Sequence, residues 1–184
     1  MIYIIPTDTC YGIACSLDDI KNYDKIYKIK KRSFGKPLAI MVLDFNWLKT
    51  NTTLNDKQIE FLKNYSKPFT VLTNSVPISL WLNYESENGE GFQNRDMYQK
   101  IAFRIAHNNA QKKLIKEVGP IFLTSANTSG EKEIYKKEEI KEAFSYYIEK
   151  KIVEILPGEV GNNKASDIFE FSGDGLGIRY LRKN

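Results

Sequence analysis

Short apolar runs at two alternating periodicities constrain this chain more than any other feature. Ile2–Ile5, Leu38–Leu43, Phe69–Leu72, Ile101–Ile105, Ile121–Leu123, Ile152–Leu156 and Ile168–Phe171 have the length and β-branched content of strands. Segments with helical spacing lie between most of them. Leu17, Ile20, Tyr23, Tyr27 and Lys30 share one face, with Ser16 placed to cap it. Asp56–Tyr65 predicts a second helix capped by Asn55. Asn109–Val118 predicts a third, closed by Gly119 and Pro120, and Lys136–Ile148 a fourth with Ile140, Phe144, Tyr147 and Ile148 as its buried stripe. Strands alternating with helices require an α/β layer structure. From Ile152 onward no helix intervenes, so the sheet is expected to be mixed. Ser172-Gly173-Asp174-Gly175 is a hairpin signal, and polar loops are expected at 85–96 and 158–164. With 184 residues and no dividing linker, a single domain over residues 1–184 is expected.

Composition excludes several functions. No run approaches the ~20 apolar residues of a membrane span. The N-terminal apolar stretch lacks a basic leader and a small-residue cleavage site, so it reads as a strand. Cys10 and Cys15 fit neither a redox pair nor a zinc site, which leads to the expectation of a reduced, cytoplasmic setting. The net charge of +4, from 27 Lys and Arg against 23 Asp and Glu, suits an anionic small molecule or a weak contact with RNA. His107 is the sole histidine, so a histidine-based triad or metal cage would have to be built on it alone.

Four segments could carry chemistry, and each has an ordinary structural reading beside the functional one. Pro6-Thr7-Asp8-Thr9-Cys10-Tyr11-Gly12 follows a strand, where α/β sheets place ligand loops, but it could equally be a polar turn. In extended chain its two threonine hydroxyls would face one side. Lys30-Lys31-Arg32 with Lys36 could gather cations around a triphosphate, or form a solvated helix end. Leu123-Thr124-Ser125-Ala126-Asn127-Thr128-Ser129-Gly130 offers hydroxyls and backbone N–H groups to phosphate, or is a turn with Asn127 at positive φ; no Walker loop is present. Arg104, in an apolar strand, could clamp a carboxylate or form a structural ion pair.

The order of these segments is more specific than any one of them. PTDTCYGI, KIKKRSFGKPLAIMV, TSANTSG, KASDIF and a terminal arginine-bearing strand together resemble the YrdC-like family, whose known members include threonylcarbamoyl-AMP synthases. The resemblance covers nearly the whole chain. It implies a twisted mixed sheet flanked by helices and enclosing a basic cavity. It implies nucleotide contacts from Lys30, Arg32, Lys36, Ser125, Asn127 and Arg179, with Lys30 and Arg32 acting on the phosphates. It implies substrate contacts from Thr9, Arg104 and Ser166, and no resident metal. The implied reaction joins L-threonine, bicarbonate or CO₂, and ATP into threonylcarbamoyl-adenylate. Mg²⁺ would arrive with ATP, and downstream proteins would transfer the group to tRNA. The other readings are an RNA-binding maturation factor of the same fold, and a paralogue acting on another carbamoylated substrate. Against the family pattern, Ser33 and Ala106 stand where prolines are usual, Met41 where histidine is common and Asp167 where threonine is usual. The family's PGPLT segment is reduced to Lys67-Pro68-Phe69-Thr70, and the helix that usually precedes the first strand has no counterpart in this sequence.

Overall fold

The computed structural model describes residues 1–74 and 100–184. The loop expected at 85–96 lies outside them. Among the described residues nine strands form one sheet: β1 (Ile2–Pro6), β2 (Tyr11–Ser16), β3 (Ala39–Val42), β4 (Phe69–Thr73), β5 (Ile101–Ile105), β6 (Ile121–Ser125), β7 (Val153–Ile155), β8 (Asp167–Phe171) and β9 (Ile178–Arg182). Their order across the sheet is β7-β1-β2-β6-β3-β5-β4-β8-β9. The pairs β1–β7, β3–β5 and β4–β8 are parallel and the other five are antiparallel, so the sheet is mixed as expected.

The helices are α1 (Ile20–Lys30), α2 (Phe45–Asn51), α3 (Asp56–Lys63), α4 (Asn109–Val118), α5 (Lys137–Ala143) and α6 (Ser145–Glu149). α4 has its expected limits, with an Asn108–Gln111 capping box at one end and Gly119 at φ 76° at the other. α3 has the corresponding Asn55–Gln58 box but ends at Lys63. Three expectations need correction. Ser16 does not cap α1; it ends β2, and Asp19 accepts the N–H of Asn22 instead. β2 is missing from the strands expected from apolar runs, and the segment 6–12 expected as a loop runs into it: Pro6 and Tyr11 pair directly and make β1–β2 a hairpin. The fourth helix breaks at Phe144 into α5 and α6, and α2 had not been anticipated.

The two faces of the sheet are covered differently. On one, Ile2, Ile4, Ile13, Ile40, Val71, Phe103 and Phe169 pack with Tyr23, Ile26 and Tyr27 of α1, Leu48 of α2, Ile59 and Leu62 of α3, and Ile140 of α5 in the larger core cluster. On the other, Ile5, Ala14, Met41, Ala106 and Ile121 meet Leu114 and Ile115 of α4 in a smaller one. Farther along this second face the inward side chains are small: Gly12, Ala39 and Ala102. A cavity opens over them.

Candidate functional site

The cavity has a volume of about 260 Å³, and seven strands contribute to it. Its floor exists because alternation along each strand puts a small residue there. Glycine fits closely at position 12: a Cβ there would come within 2.5 Å of Leu123 Cδ1, which would have to shift, and 3.3 Å of the Thr124 carbonyl oxygen. Around this floor stand the hydroxyl-bearing residues Thr7, Thr9, Thr70, Thr124, Ser125 and Ser166 and the arginines Arg32, Arg104 and Arg182, with Glu133 the one acid among the described lining residues.

The loop between β1 and β2 is a self-bonded turn. Thr7 Oγ1 donates to the Cys10 carbonyl (2.7 Å), accepts from the N–H groups of Thr9 and Cys10, and lies 3.0 Å from Thr9 Oγ1. Both threonine hydroxyls therefore reach the same place, through a turn and not through extended chain. Gly161 crosses this loop so closely that a Cβ there would lie 2.4 Å from the Asp8 carbonyl oxygen. Its N–H donates to the Thr7 carbonyl at 2.8 Å. Cys10 lines the cavity, and burial pushes its thiol above the usual range.

Lys30 and Arg32 diverge. Lys31 takes a left-handed conformation (φ 49°) after the last turn of α1, and Arg32 N–H closes on the Tyr27 carbonyl. This reversal sends Lys30 under the Ser125–Asn127 loop, where its ammonium donates to the Ser125 and Asn127 carbonyls and its own carbonyl accepts from Ser129 N–H at 2.9 Å. Lys30 is 2% exposed, and burial, reinforced by the Arg32 charge, lowers its pKa to about 8. Arg32 faces the cavity, with Nε on the Lys36 carbonyl (2.8 Å) and Nη2 on the Pro37 carbonyl (3.2 Å). Lys36 itself is exposed, so its backbone shapes the site while its ammonium lies outside the lining.

In the 124–130 loop Ser125 lines the cavity, and Ala126 N–H is anchored on the Tyr11 carbonyl at 2.8 Å. Asn127 is buried behind it, donating to the Glu131 carbonyl at 2.6 Å with its own Oδ1 unpartnered. The left-handed position in this loop is Gly130 (φ 90°), not Asn127.

Arg104 lines the cavity and pairs with Asp8 at 2.5 Å, each side chain only 13–14% exposed. Ser166 sits between Thr70 Oγ1 (2.9 Å) and Arg182, whose guanidinium also donates to the Ser166 carbonyl at 2.8 and 3.0 Å. Arg182 is the residue that the sequence reading missed. Arg179, named in its place, pairs with the buried carboxylate of Glu170 beside Lys100 and lies outside the lining. A six-residue turn, Ser172 to Gly177, and an irregularity between Ile168 and Phe169 set the β8–β9 register. The signal for it in the sequence is that arginines three apart, at 179 and 182, face opposite sides of a regular strand.

The departures from the family pattern fall away from the cavity lining. Met41 is fully buried in the smaller core cluster. Asp167 lies on the opposite face from Ser166, accepting from Tyr65 Oη (2.6 Å) and Asn184 N–H (2.7 Å). Burial alone would raise its pKa, but those two hydrogen bonds together with the Lys67 and Lys183 charges lower it. Ser33 is exposed and accepts from Gly35 N–H, and Ala106 is buried beneath α4. His107 is exposed. Among the described residues no group of three or more His, Cys, Asp or Glu could hold a metal ion, and no helix is long and apolar enough to cross a membrane.

Comparison with known proteins agrees with this architecture. A threonylcarbamoyl-AMP synthase from Buchnera aphidicola is 26% identical over 182 residues, covering 96% of this chain and 94% of its own. A Methanocaldococcus jannaschii relative is 30% identical over 130 residues, 70% of this chain but 56% of its own length. Escherichia coli YciO superposes with a TM-score of 0.72 at 20% identity, over 99% of this chain and 82% of its own. Sua5 from P. abyssi, complexed with L-threonine, reaches 0.74 at 23% identity over 98% of this chain, which spans 49% of the Sua5 chain. HypF in a phosphate- and nucleotide-bound form reaches 0.70 at 21% identity over 98% of this chain and 26% of its own. The family model described as "Telomere recombination" matches residues 1–183, and the chain belongs to the Sua5/YciO/YrdC family.

Proposed function

We propose that this protein makes L-threonylcarbamoyl-adenylate from L-threonine, CO₂ or bicarbonate, and ATP, releasing pyrophosphate, for the threonylcarbamoyl-adenosine modification of tRNA. The observation that carries this reading is the composition of one cavity. Three arginines and six hydroxyl-bearing residues converge there, with no histidine among the described lining residues. Such a site is suited to reactions in which the reactants supply their own nucleophile and the protein supplies position and charge.

In this reading the threonine nitrogen bonds to CO₂ and loses a proton, giving a carbamate. One carbamate oxygen then bonds to the α-phosphorus of ATP, the bond to the β-phosphate bridging oxygen breaks, and pyrophosphate departs with its electron pair. Mg²⁺ enters as part of the nucleotide substrate. Arg104 holds the amino-acid carboxylate near Thr9, and Ser166 contributes a further contact. Arg32, Ser125 and Arg182 orient the phosphates and offset the charge that gathers on them as pyrophosphate leaves. Lys30 and Asn127 act as positioning residues: the first supports the carbonyls of the Ser125–Asn127 loop, and the second ties it to Glu131. The departures at Met41 and Asp167 are accounted for by core packing and by the Tyr65 hydrogen bond, which favours the threonine reading over a paralogue with another substrate.

Mass spectrometry of the protein incubated with ATP, bicarbonate and each amino acid in turn tests this directly. The expected product has the mass of threonylcarbamoyl-adenylate and forms with threonine. A product with a different amino acid, or adenylate formation without bicarbonate, would refute the assignment.

A further inference from the structure

β9 is the outermost strand of the sheet among the described residues, and all of it except Ile178 is exposed. Its pairing is irregular next to the cavity. Tyr180 pairs with Phe169 and Arg182 with Ile168, which leaves Leu181 as an extra residue between them. Residues two apart share a face of a regular strand. The extra residue turns these two to opposite faces. The Tyr180 ring packs on Phe169 of the larger core cluster, with 5.7 Å between ring centres, while Arg182 enters the cavity. A shift of one residue in this pairing would carry Arg182 to the wrong side of the sheet.

Asp167 holds the irregular segment on either side of Arg182. One carboxylate oxygen accepts from Asn184 N–H at 2.7 Å. The other accepts from Tyr65 Oη at 2.6 Å, and Tyr65 Oη in turn lies 3.2 Å from Tyr180 Oη. Lys67 strengthens the first tie by donating to the Asn184 carbonyl at 2.6 Å. Asp167 is only 1% exposed, so water cannot replace a donor that slips away, and the bonded register is favoured over its neighbours. Ser166, the residue before it, holds the Arg182 guanidinium from the cavity side through its carbonyl and hydroxyl. Adjacent residues at the start of β8 therefore grip the same stretch of chain from opposite faces. Threonine, usual at position 167 in the family, offers one oxygen where the carboxylate offers two.

Resting on the nucleotide reading of the cavity, we propose that Asp167 is a positioning residue: it stands outside the lining and fixes the β9 pairing that delivers Arg182 to the phosphates. The residue at which this chain departs from its family thereby acts on the site through the back of the sheet.

Calorimetric titration with ATP, without threonine or bicarbonate, provides the test through double-variant cycles. Asp167→Ala is expected to weaken ATP binding about threefold or more, and to do so equally in an Arg32→Ala background. In an Arg182→Ala background it should add nothing, because the group it positions is gone. A general loosening of the fold would instead weaken binding alike in every background. Tyr65→Phe removes the bridging hydroxyl and keeps the ring against Phe69 and Phe169. It should follow the same pattern to a smaller extent, and it carries the test if Asp167→Ala does not fold. Equal losses in the Arg182→Ala and Arg32→Ala backgrounds, or no loss at all, overturn the role of Asp167 and leave the nucleotide reading standing. An unmodified protein that does not bind ATP, or binding indifferent to Arg182→Ala, removes that reading and the proposal with it.

Discussion

Three arginines reach the cavity by different routes, and their variants should separate accordingly. Arg32→Ala removes a guanidinium held on the Lys36 and Pro37 carbonyls over the floor. Pyrophosphate release should fall about 10²-fold or more, by comparison with loss of one preorganised electrostatic donor. Arg182→Ala should weaken ATP binding severalfold or more in equilibrium titrations, while Arg179→Ala, whose partner is Glu170 outside the lining, should leave it nearly unchanged. The reverse order would restore Arg179 to the site. Lys30 allows a pH test. Its folded pKa of about 8 lies below the ordinary lysine value of 10.5, so between these two pH values the unfolded chain binds more protons than the folded one. Stability from this group therefore rises as pH increases from about 8 to 10.5 and is lost again as pH falls through 8. Urea denaturation across that window should show the unmodified protein gaining stability relative to Lys30→Met. Parallel curves would remove the burial argument.

Among the elements, the helix ends were the most legible and the turn-encoded strands the least. Asn55 announces α3 because a side-chain acceptor followed three residues later by glutamine satisfies two terminal N–H groups through local bonds alone. The same box at Asn108 and Gln111 opens α4, whose limits the sequence reading took from helical spacing and from Gly119 and Pro120. Asn108→Ala should accordingly lower unfolding stability by about 1 kcal/mol in denaturant titrations. β2 was hidden because its identity rests on partners distant in sequence: Ile13 pairs with Ile4 on one side and Thr124 on the other. The break of the fourth helix at Phe144 and the cap at Asp19 likewise depend on packing that periodicity does not carry. Gly12 ties β2 to the site. Gly12→Ala should destabilise the fold by about 1–3 kcal/mol through overpacking against Leu123, and should reduce ligand binding by raising the cavity floor. Combined calorimetric and binding measurements check both effects.

For the molecule as a whole, one sheet keeps two cores apart and leaves the cavity on the face that α4 partly covers. Ligands that occupy this space only in the folded state should raise the melting temperature in proportion to their saturation. ATP and threonine together should give a larger shift than either alone, and RNA should give little. A steep salt dependence of RNA binding with no nucleotide-induced shift would point to a nucleic-acid module instead. What the sequence determined unaided is what local chemistry encodes: the α/β class, seven of the nine described strands by apolar run, the Asn55 cap of α3, the limits of α4, and the set of loops that bear hydroxyls and cations. Tertiary structure alone decided where those cations point. A left-handed Lys31 parts Lys30 from Arg32, a β8–β9 register brings in Arg182 in place of Arg179, and the β1–β2 turn sets Asp8 against Arg104. Each depends on one backbone reversal or pairing offset, and a single such step redirects a side chain completely while leaving composition and periodicity untouched.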